Sequence, residues 1–294
     1  MEKAKIKSYT RNINIKDYHQ GIGISASQIK KAIQSTAHFF VDTPEITKRN
    51  PNFDMGNGFE LLLTEPENFF NEVVIFDPME RPDINLTMGG KKNKAWKDEI
   101  MQSDKIVLDI EQFETLQKMV DSCKRNNTIV ETIRDCKLQT SCFWQDDETG
   151  LLLKTRPDII KFRTQNSVII SDIKTAVDAS PEGFAKAFAN LNYGIQAATQ
   201  IDGVESALGV KVDFYTYTVV EKLAPFNAQV YVLDEKDIIF YKMVYKSILK
   251  KIKRAMLNDK FVHAGYGEDE IENGGVLDLS VPKWHTINLE NKFL

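Results

Sequence analysis

The chain has 294 residues, 42% hydrophobic and 27% charged, a composition that suits a globular protein with a substantial core. Its 38 basic and 42 acidic residues leave a formal net charge of −4, so bulk charge announces no nucleic-acid partner and phosphate binding has to come from local patches. Cys123, Cys136 and Cys142 lack CxxC spacing, which argues for a reducing cytoplasm and against a zinc or iron–sulfur centre. The charged opening has no signal-peptide core, and no run is apolar enough for a membrane span.

In chain order, residues 1–23 form a polar opening of little periodicity. A helix is expected from Ser27, a fair N-cap, through Ile29, Ala32, Ile33, Phe39 and Phe40, ending at Thr43-Pro44. The segment Met55–Leu63 is apolar and helix-like despite Gly56 and Gly58. Glycine costs about 1 kcal/mol relative to alanine inside a helix, so two of them suggest close approach of another backbone or of a ligand. Glu60 is the lone charge there and reads either as solvent-facing or as functional. Residues 71–100 read as an excursion: a short strand Val73–Phe76, a proline-bearing loop, then Gly89-Gly90-Lys91-Lys92-Asn93-Lys94 before Trp96. That run is either a solvated loop or a track for a nucleic-acid backbone. Ile110 to Ile133 has helical periodicity, broken at Asn126-Asn127.

Strands follow. Lys137–Gln145 leads through the turn Asp146–Gly150 into Leu151–Thr175, LLLKTRPDIIKFRTQNSVIISDIKT. This stretch holds two apolar runs, each with an acid, around the polar break Thr164–Ser167. Asp158 and Asp172 are 14 residues apart with their midpoint at Gln165, inside the break. A hairpin centred there sets the two aspartates opposite one another, where like charges destabilise. Either they lie in solvent as part of a charged hairpin, or a cation stands between them. The period of two puts Asp172 and Lys174 on one face and Ser171 and Ile173 on the other, so Ile173 can bury its side chain and still offer its carbonyl at the same edge. Two carboxylates, a carbonyl and an ammonium suit a hard, oxygen-loving cation and a water attacking a phosphate.

Ser180-Pro181 starts a helix with an apolar stripe at Phe184, Phe188, Leu191, Ile195 and Ala198. A polar row beside it, Asn192, Gln196 and Gln200, puts Gln196 on the rim of the packed face. Strands Val212–Val220 and Asn227–Leu233 follow, and a strand, a helical crossover and a further strand imply an α/β sheet. The last long helix, Glu235–Met256, carries Lys246, Lys250, Lys251, Lys253 and Arg254 in its C-terminal half. These cations suit the helix dipole and equally a phosphate-backbone patch.

The ordered set GNGFELLLTEP, FWQDDETGLLLKTRPD, SDIKT, NYGIQAA, TVVEKLAPF and LSVPKW resembles the RecE-type (exodeoxyribonuclease VIII-like) exonucleases of phages and prophages, a branch of the PD-(D/E)xK nuclease superfamily. The resemblance implies an α/β fold with a three-layer core, a mixed central β-sheet flanked by helices, formed as one domain over 1–294 with the N-terminal helices and the 71–100 excursion decorating it. It implies a Mg²⁺-dependent exodeoxyribonuclease, with Mn²⁺ as an alternative and one or two ions bound. Asp158 and Asp172 match the metal-binding acids, Lys174 the motif lysine and Gln196 the glutamine after the core strands, while the Ile173 carbonyl completes the ligand set. Glu60 stands where many relatives have histidine, and would still serve as a hard oxygen ligand; Gln200 stands where many have tyrosine, removing an aromatic DNA contact. Arg156, Lys250, Lys251, Lys253 and Arg254 are the expected DNA contacts. The implied substrate is a linear double-stranded DNA end, digested 5′ to 3′. The implied partners are further copies of the chain in a ring-like homo-oligomer and a single-strand annealing protein, in the cytoplasm of a bacterial host. The alternatives are another nuclease on the same fold, or a non-catalytic module that binds DNA ends or protein.

Overall fold

The computed structural model describes residues 8–11, 13, 15–41, 51–76, 105–258 and 279–293. The glycine–lysine run at 89–94, Trp96 and the glycines at 265 and 267 lie outside the described residues. In chain order the elements begin with β1 (Tyr9–Arg11), α1 (Ile15–Gln20), α2 (Ala26–Gln34), α3 (Thr36–Phe40), α4 (Pro51–Thr64), α5 (Phe69–Glu72), β2 (Val73–Phe76) and β3 (Ile106–Asp109). There follow α6 (Ile110–Lys124), α7 (Asn127–Ile133), β4 (Lys137–Leu138), β5 (Ser141–Gln145), β6 (Leu152–Thr155), β7 (Ile159–Phe162) and β8 (Ser167–Ala176). The remainder are α8 (Pro181–Asn190), α9 (Tyr193–Leu208), β9 (Lys211–Glu221), β10 (Ala228–Val232), α10 (Glu235–Leu257) and α11 (Lys283–Phe293).

A five-stranded sheet of order β10-β9-β8-β7-β4 occupies the centre. β8 and β9 run parallel and the other neighbours antiparallel, so the sheet is mixed as expected. Alternation along β8 divides the packing. Ile173 faces a cluster with Phe59 of α4 and Leu116, Met119 and Val120 of α6, while Val168 and Ile170 face Phe184 of α8 and Ala197, Ile201 and Val204 of α9. Helices thus cover both faces, and α8 and α9 form the crossover that a parallel pair requires. A second, three-stranded antiparallel sheet of order β1-β5-β6 lies alongside. From it Trp144, Leu151 and Leu153 pack with α2, α9 and α10. β2 and β3 make a separate parallel pair.

Several local expectations are revised. The N-cap of α2 is Ser25, not Ser27: its hydroxyl accepts from the Gln28 N–H and the Gln28 side chain answers the Ser25 N–H, a capping box. Extended backbone at Ser35, with φ −169°, separates α2 from α3. The expected single helix after Ser180 is two, because Asn192 adopts φ +51° between α8 and α9; Leu191, in the predicted apolar stripe, is 52% exposed. A Cβ at Gly58 would meet the side chains of Leu116 and Leu108 at 3.1 and 3.2 Å, so the close approach there is by side chains, and among the described residues Gly56 has open space beside it. Lys154 is buried, and its ammonium satisfies the carbonyls of Tyr18, His19 and Gly21 at 2.9, 3.0 and 2.5 Å, closing the C-terminal end of α1.

The break that matters most divides the predicted strand Lys137–Gln145. Gln139, at φ +49°, sends β4 into the five-stranded sheet and β5 into the other. The return path divides likewise: β6 stays in the three-stranded sheet, and Arg156-Pro157-Asp158 carries the chain back to β7. The two crossings meet, since the Gln139 N–H donates to the Asp158 carbonyl at 3.0 Å.

Candidate active site

The centre of the site follows from where the β7–β8 ladder stops. Its register pairs Ile159 with Ser171 and Lys161 with Ile169, so Asp158 comes opposite Asp172, as the midpoint at Gln165 requires. One residue further, Pro157 would face Ile173. Proline has no N–H, and it can donate nothing to the Ile173 carbonyl. The Ile173 carbonyl is thus left without a ladder donor from Pro157, while the Ile173 N–H donates to the Asp158 carboxylate, at Oδ2, at 2.8 Å. In an antiparallel ladder the N–H and C=O of one residue point to the same side, so the Ile173 carbonyl faces the same notch.

Helices on both faces of the sheet reach that notch. From α9, the Gln196 amide donates to Asp172 Oδ1 at 2.7 Å. Asp172 is fully buried, and its Oδ2 is paired with the Lys174 ammonium. From the other face, Phe59 anchors α4; a fully buried phenylalanine contributes about 1.5–3 kcal/mol, and that anchoring carries its neighbour Glu60 to the sheet edge. Glu60 Oε1 accepts from the Gln139 amide, and Gln139 Oε1 in turn accepts from Arg156 Nε at 2.6 Å. Arg156 spends a further donor on the Ile13 carbonyl, at 2.6 Å.

The electrostatics bind the three acids together. Burial, then the charge of Asp172, pushes the Glu60 carboxyl from 4.5 up to about 7, against the pull of its Gln139 hydrogen bond, Lys174 and Arg156. Asp158 is driven well above the usual carboxylate range by burial and by the charges of Glu60 and Asp172, with Lys174 and the Ile173 N–H opposing. Burial disfavours the charge on Lys174, but Asp172 and Asp158 outweigh it and the ammonium is held above its ordinary value. As they stand, each carboxylate is tied to a partner of its own, and among the described residues no three His, Cys, Asp or Glu side chains are gathered into a metal cage.

A sequence profile described as a PDDEXK-like domain of unknown function, DUF3799, matches residues 25–266. The chain belongs to that family. The PDDEXK-like fold also has a structural counterpart: the crystal structure of a "Putative exonuclease" from Eubacterium rectale, with a TM-score of 0.51 and 11% identity, covering 94% of this chain and 98% of that one. At that identity the likeness concerns the fold. Two other structures stand further off: the protein SSO0001 (TM-score 0.28, 11% identity, 67% of this chain and 85% of that one) and VC1899 from Vibrio cholerae (TM-score 0.20, 12% identity, 88% and 60%). No curated protein sequence matches the chain.

Within the PDDEXK-like domain, the structure brings together Glu60, Asp158, Asp172, Ile173, Lys174 and Gln196, with Arg156 one residue removed behind Gln139. Two members of the basic cluster of α10 are engaged elsewhere. Lys250 pairs with Glu148 of the β5–β6 turn at 2.6 Å, and Lys246 pairs with the buried Asp146 of the same turn and with Asp202 at 3.6 Å. Gln200 is 2% exposed and accepts from the Tyr215 hydroxyl at 2.7 Å. That position belongs to the core and not to a DNA-facing surface, so the expected loss of an aromatic contact there does not arise. Sequence reasoning missed Gln139, whose left-handed backbone aims one amide at both Glu60 and Arg156. It also missed Tyr193, whose ring lies 5.0 Å from the Lys174 ammonium. Tyr193 was within reach, being three residues before Gln196 on the same helix; Gln139 sat inside a strand-like pattern that hides a turn. Among the described residues no helix is long and apolar enough to cross a membrane.

Proposed function

We propose that the chain is a metal-dependent nuclease acting on DNA, and that its substrate is the end of linear duplex DNA, digested 5′ to 3′ in the manner of the RecE-type exonucleases its motifs resemble. The observation that carries the reading is the break in the β7–β8 ladder. It sets two opposed aspartates, a strand carbonyl and a lysine in one notch, with Glu60 and Gln196 reaching it from opposite faces of the sheet.

The donors fit a hard divalent cation such as Mg²⁺ or Mn²⁺. They are oxygens, Asp172 Oδ2 is buried with the Lys174 ammonium as its partner, and the charges that push Glu60 and Asp158 upward are those a cation offsets. Asp158, Asp172 and the Ile173 carbonyl would hold it, with Glu60 assisting. When bound, such an ion lowers the pKa of an attacking water and offsets charge on the scissile phosphate. Gln196 keeps one oxygen of Asp172 fixed while the other is offered to the site. Lys174 carries its proton in the absence of a cation and presents an ammonium to the water or to a phosphate oxygen. Gln139 fixes Glu60 through a hydrogen bond, as outer partners of metal ligands do. A ring-like homo-oligomer, an annealing partner and DNA contacts from Lys250, Lys251, Lys253 and Arg254 belong to the same reading.

The separate tethering of each carboxylate favours one other reading, a DNA-end-binding module without catalysis. One assay separates the two: linear duplex labelled at either end, incubated with Mg²⁺ or Mn²⁺, beside covalently closed circles. The nuclease reading expects loss of linear DNA from one labelled terminus, none from circles, and none with Asp172→Ala. Binding of ends with no nucleotide released under either cation refutes it.

A further inference from the structure

Lys30 lies on α2, outside every motif assigned to the site. Its neighbours Ile29 and Ala32 are buried against Ile195 and Ala198 of α9 and Tyr245 and Ile248 of α10, and this packing holds α2 beside the start of α9, where Tyr193 and Gln196 stand. The Lys30 ammonium lies 5.2 Å from the Tyr193 ring centroid, and the Lys174 ammonium lies 5.0 Å from the same centroid. Both distances are in the range of cation–π attraction. The ring itself is held: it packs with Phe184, Phe188 and Tyr217 at centroid distances of 6.2, 6.5 and 6.1 Å, and the Tyr193 carbonyl accepts from the Tyr217 hydroxyl at 3.1 Å. Two cations therefore converge on one fixed aromatic wall.

Their partners differ. Lys174 has Asp172, whereas among the described residues Lys30 forms no ion pair. Burial and the charge of Lys174 lower its pKa to about 8, with Asp172 opposing. A half-buried ammonium that faces a second ammonium and has no carboxylate of its own is unfavourable unless an anion joins it. The nearest anionic chemistry that the notch is built for is a phosphate. Resting on the nuclease reading, we propose that Lys30 is a substrate-binding residue whose ammonium, with that of Lys174 beside the same Tyr193 ring, takes a phosphate of the bound DNA strand.

The phosphate is either the terminal one of a 5′-phosphorylated end or a phosphodiester beside the cut, and the test distinguishes them. Lys30→Met keeps the aliphatic stem against Tyr193 and removes the charge; Lys30→Arg returns a cation; Lys30→Gln replaces Lys30→Met if the latter lowers the Tm. Steady-state cleavage of 5′-phosphorylated and 5′-hydroxyl linear duplexes in Mg²⁺ gives KM and kcat, and fluorescence anisotropy of the same duplexes across a salt series gives affinity and its salt slope. Loss of one charged contact raises KM about tenfold and lowers the salt slope by about one, which loss of packing alone does not do. Lys30→Arg recovers most of both. If the preference for 5′-phosphate disappears in Lys30→Met, the contact is to the terminal phosphate; if both ends weaken equally, it is to a phosphodiester. Cleavage by Lys30→Met with wild-type KM and salt slope overturns the proposal alone. If the wild type binds but does not cleave, the anisotropy and salt slope decide it. A wild-type protein that neither binds nor cleaves duplex DNA overturns the nuclease reading and this proposal together.

Discussion

Replacing Lys174 with methionine removes one charge from the notch and leaves the stem over the Tyr193 ring in place. Asp172 is 0% exposed and Lys174 18% exposed, so the pair is largely out of water. Taking one member from a buried pair costs about 3–5 kcal/mol, because the remaining charge is left uncompensated. The residual exposure of Lys174 and the surviving Gln196 hydrogen bond place the expected loss at the low end, about 3 kcal/mol. A shift of 1 kcal/mol moves Tm by about 2–4 °C in a domain of some 150–250 residues, so Lys174→Met is expected to melt roughly 6–12 °C below wild type in EDTA. A divalent cation is then expected to recover more for the variant than for the wild type, since in the wild type the ammonium competes for Asp172; saturation at about 100 times Kd is worth about 2.7 kcal/mol. Circular dichroism melts in EDTA and across a MgCl₂ or MnCl₂ series measure both. A Tm within about 1 °C of wild type in EDTA, or equal cation shifts in the two proteins, refutes the claim that Lys174 is the counter-charge of Asp172.

Other outcomes follow from the same geometry. Gln139→Ala frees Glu60 and Arg156 together, and is expected to raise the cation concentration for half-maximal cleavage by about 10–100-fold; an unchanged cation titration removes Gln139 from the site. Glu60 has its folded pKa raised from 4.5 to about 7, so the folded state binds its proton more tightly than the unfolded chain. In EDTA stability is therefore expected to fall as pH rises between those two values, and Glu60→Gln or added Mg²⁺ flattens that slope. Melts that show the wild type gaining stability relative to Glu60→Gln over this window contradict the assignment. Gln200→Tyr forces a larger ring into a buried position and is expected to cost about 1–3 kcal/mol; a variant that binds DNA more tightly at wild-type stability shows that the position faces the substrate.

Much of the β7–β8 hairpin is readable without coordinates because strand pairing is arithmetic. Once the turn is centred on Gln165, Asp158 meets Asp172 and period two assigns Lys174 to the face of Asp172. Helical spacing likewise puts Gln196 on the rim of α9. The same spacing says nothing of how the helix lies on the sheet, which is why Gln200, one turn on, turned out to be buried against Tyr215. The division of Lys137–Gln145 was hidden for a related reason. Its residues alternate as one strand would, and only the arrival of Asp158 from the other crossing, with Arg156 and Glu60 on either side of one amide, accounts for left-handed backbone at Gln139.

By itself, then, the chain's order of residues determined what short-range periodicity can carry: a mixed α/β sheet, a hairpin with opposed acids, and a lysine beside the second acid. Tertiary structure decided everything that depends on two distant segments meeting. It placed α4 so that Glu60 reaches the notch, joined the two sheet crossings through Gln139 and Asp158, and set Lys30 and Lys174 against one tyrosine. It also engaged Lys246 and Lys250 of the α10 cluster in ion pairs with the β5–β6 turn. Periodicity encodes which face a residue takes within its own element; burial of apolar faces such as those of Phe59 and Ile29 chooses which elements come together, and the site is a product of that choice.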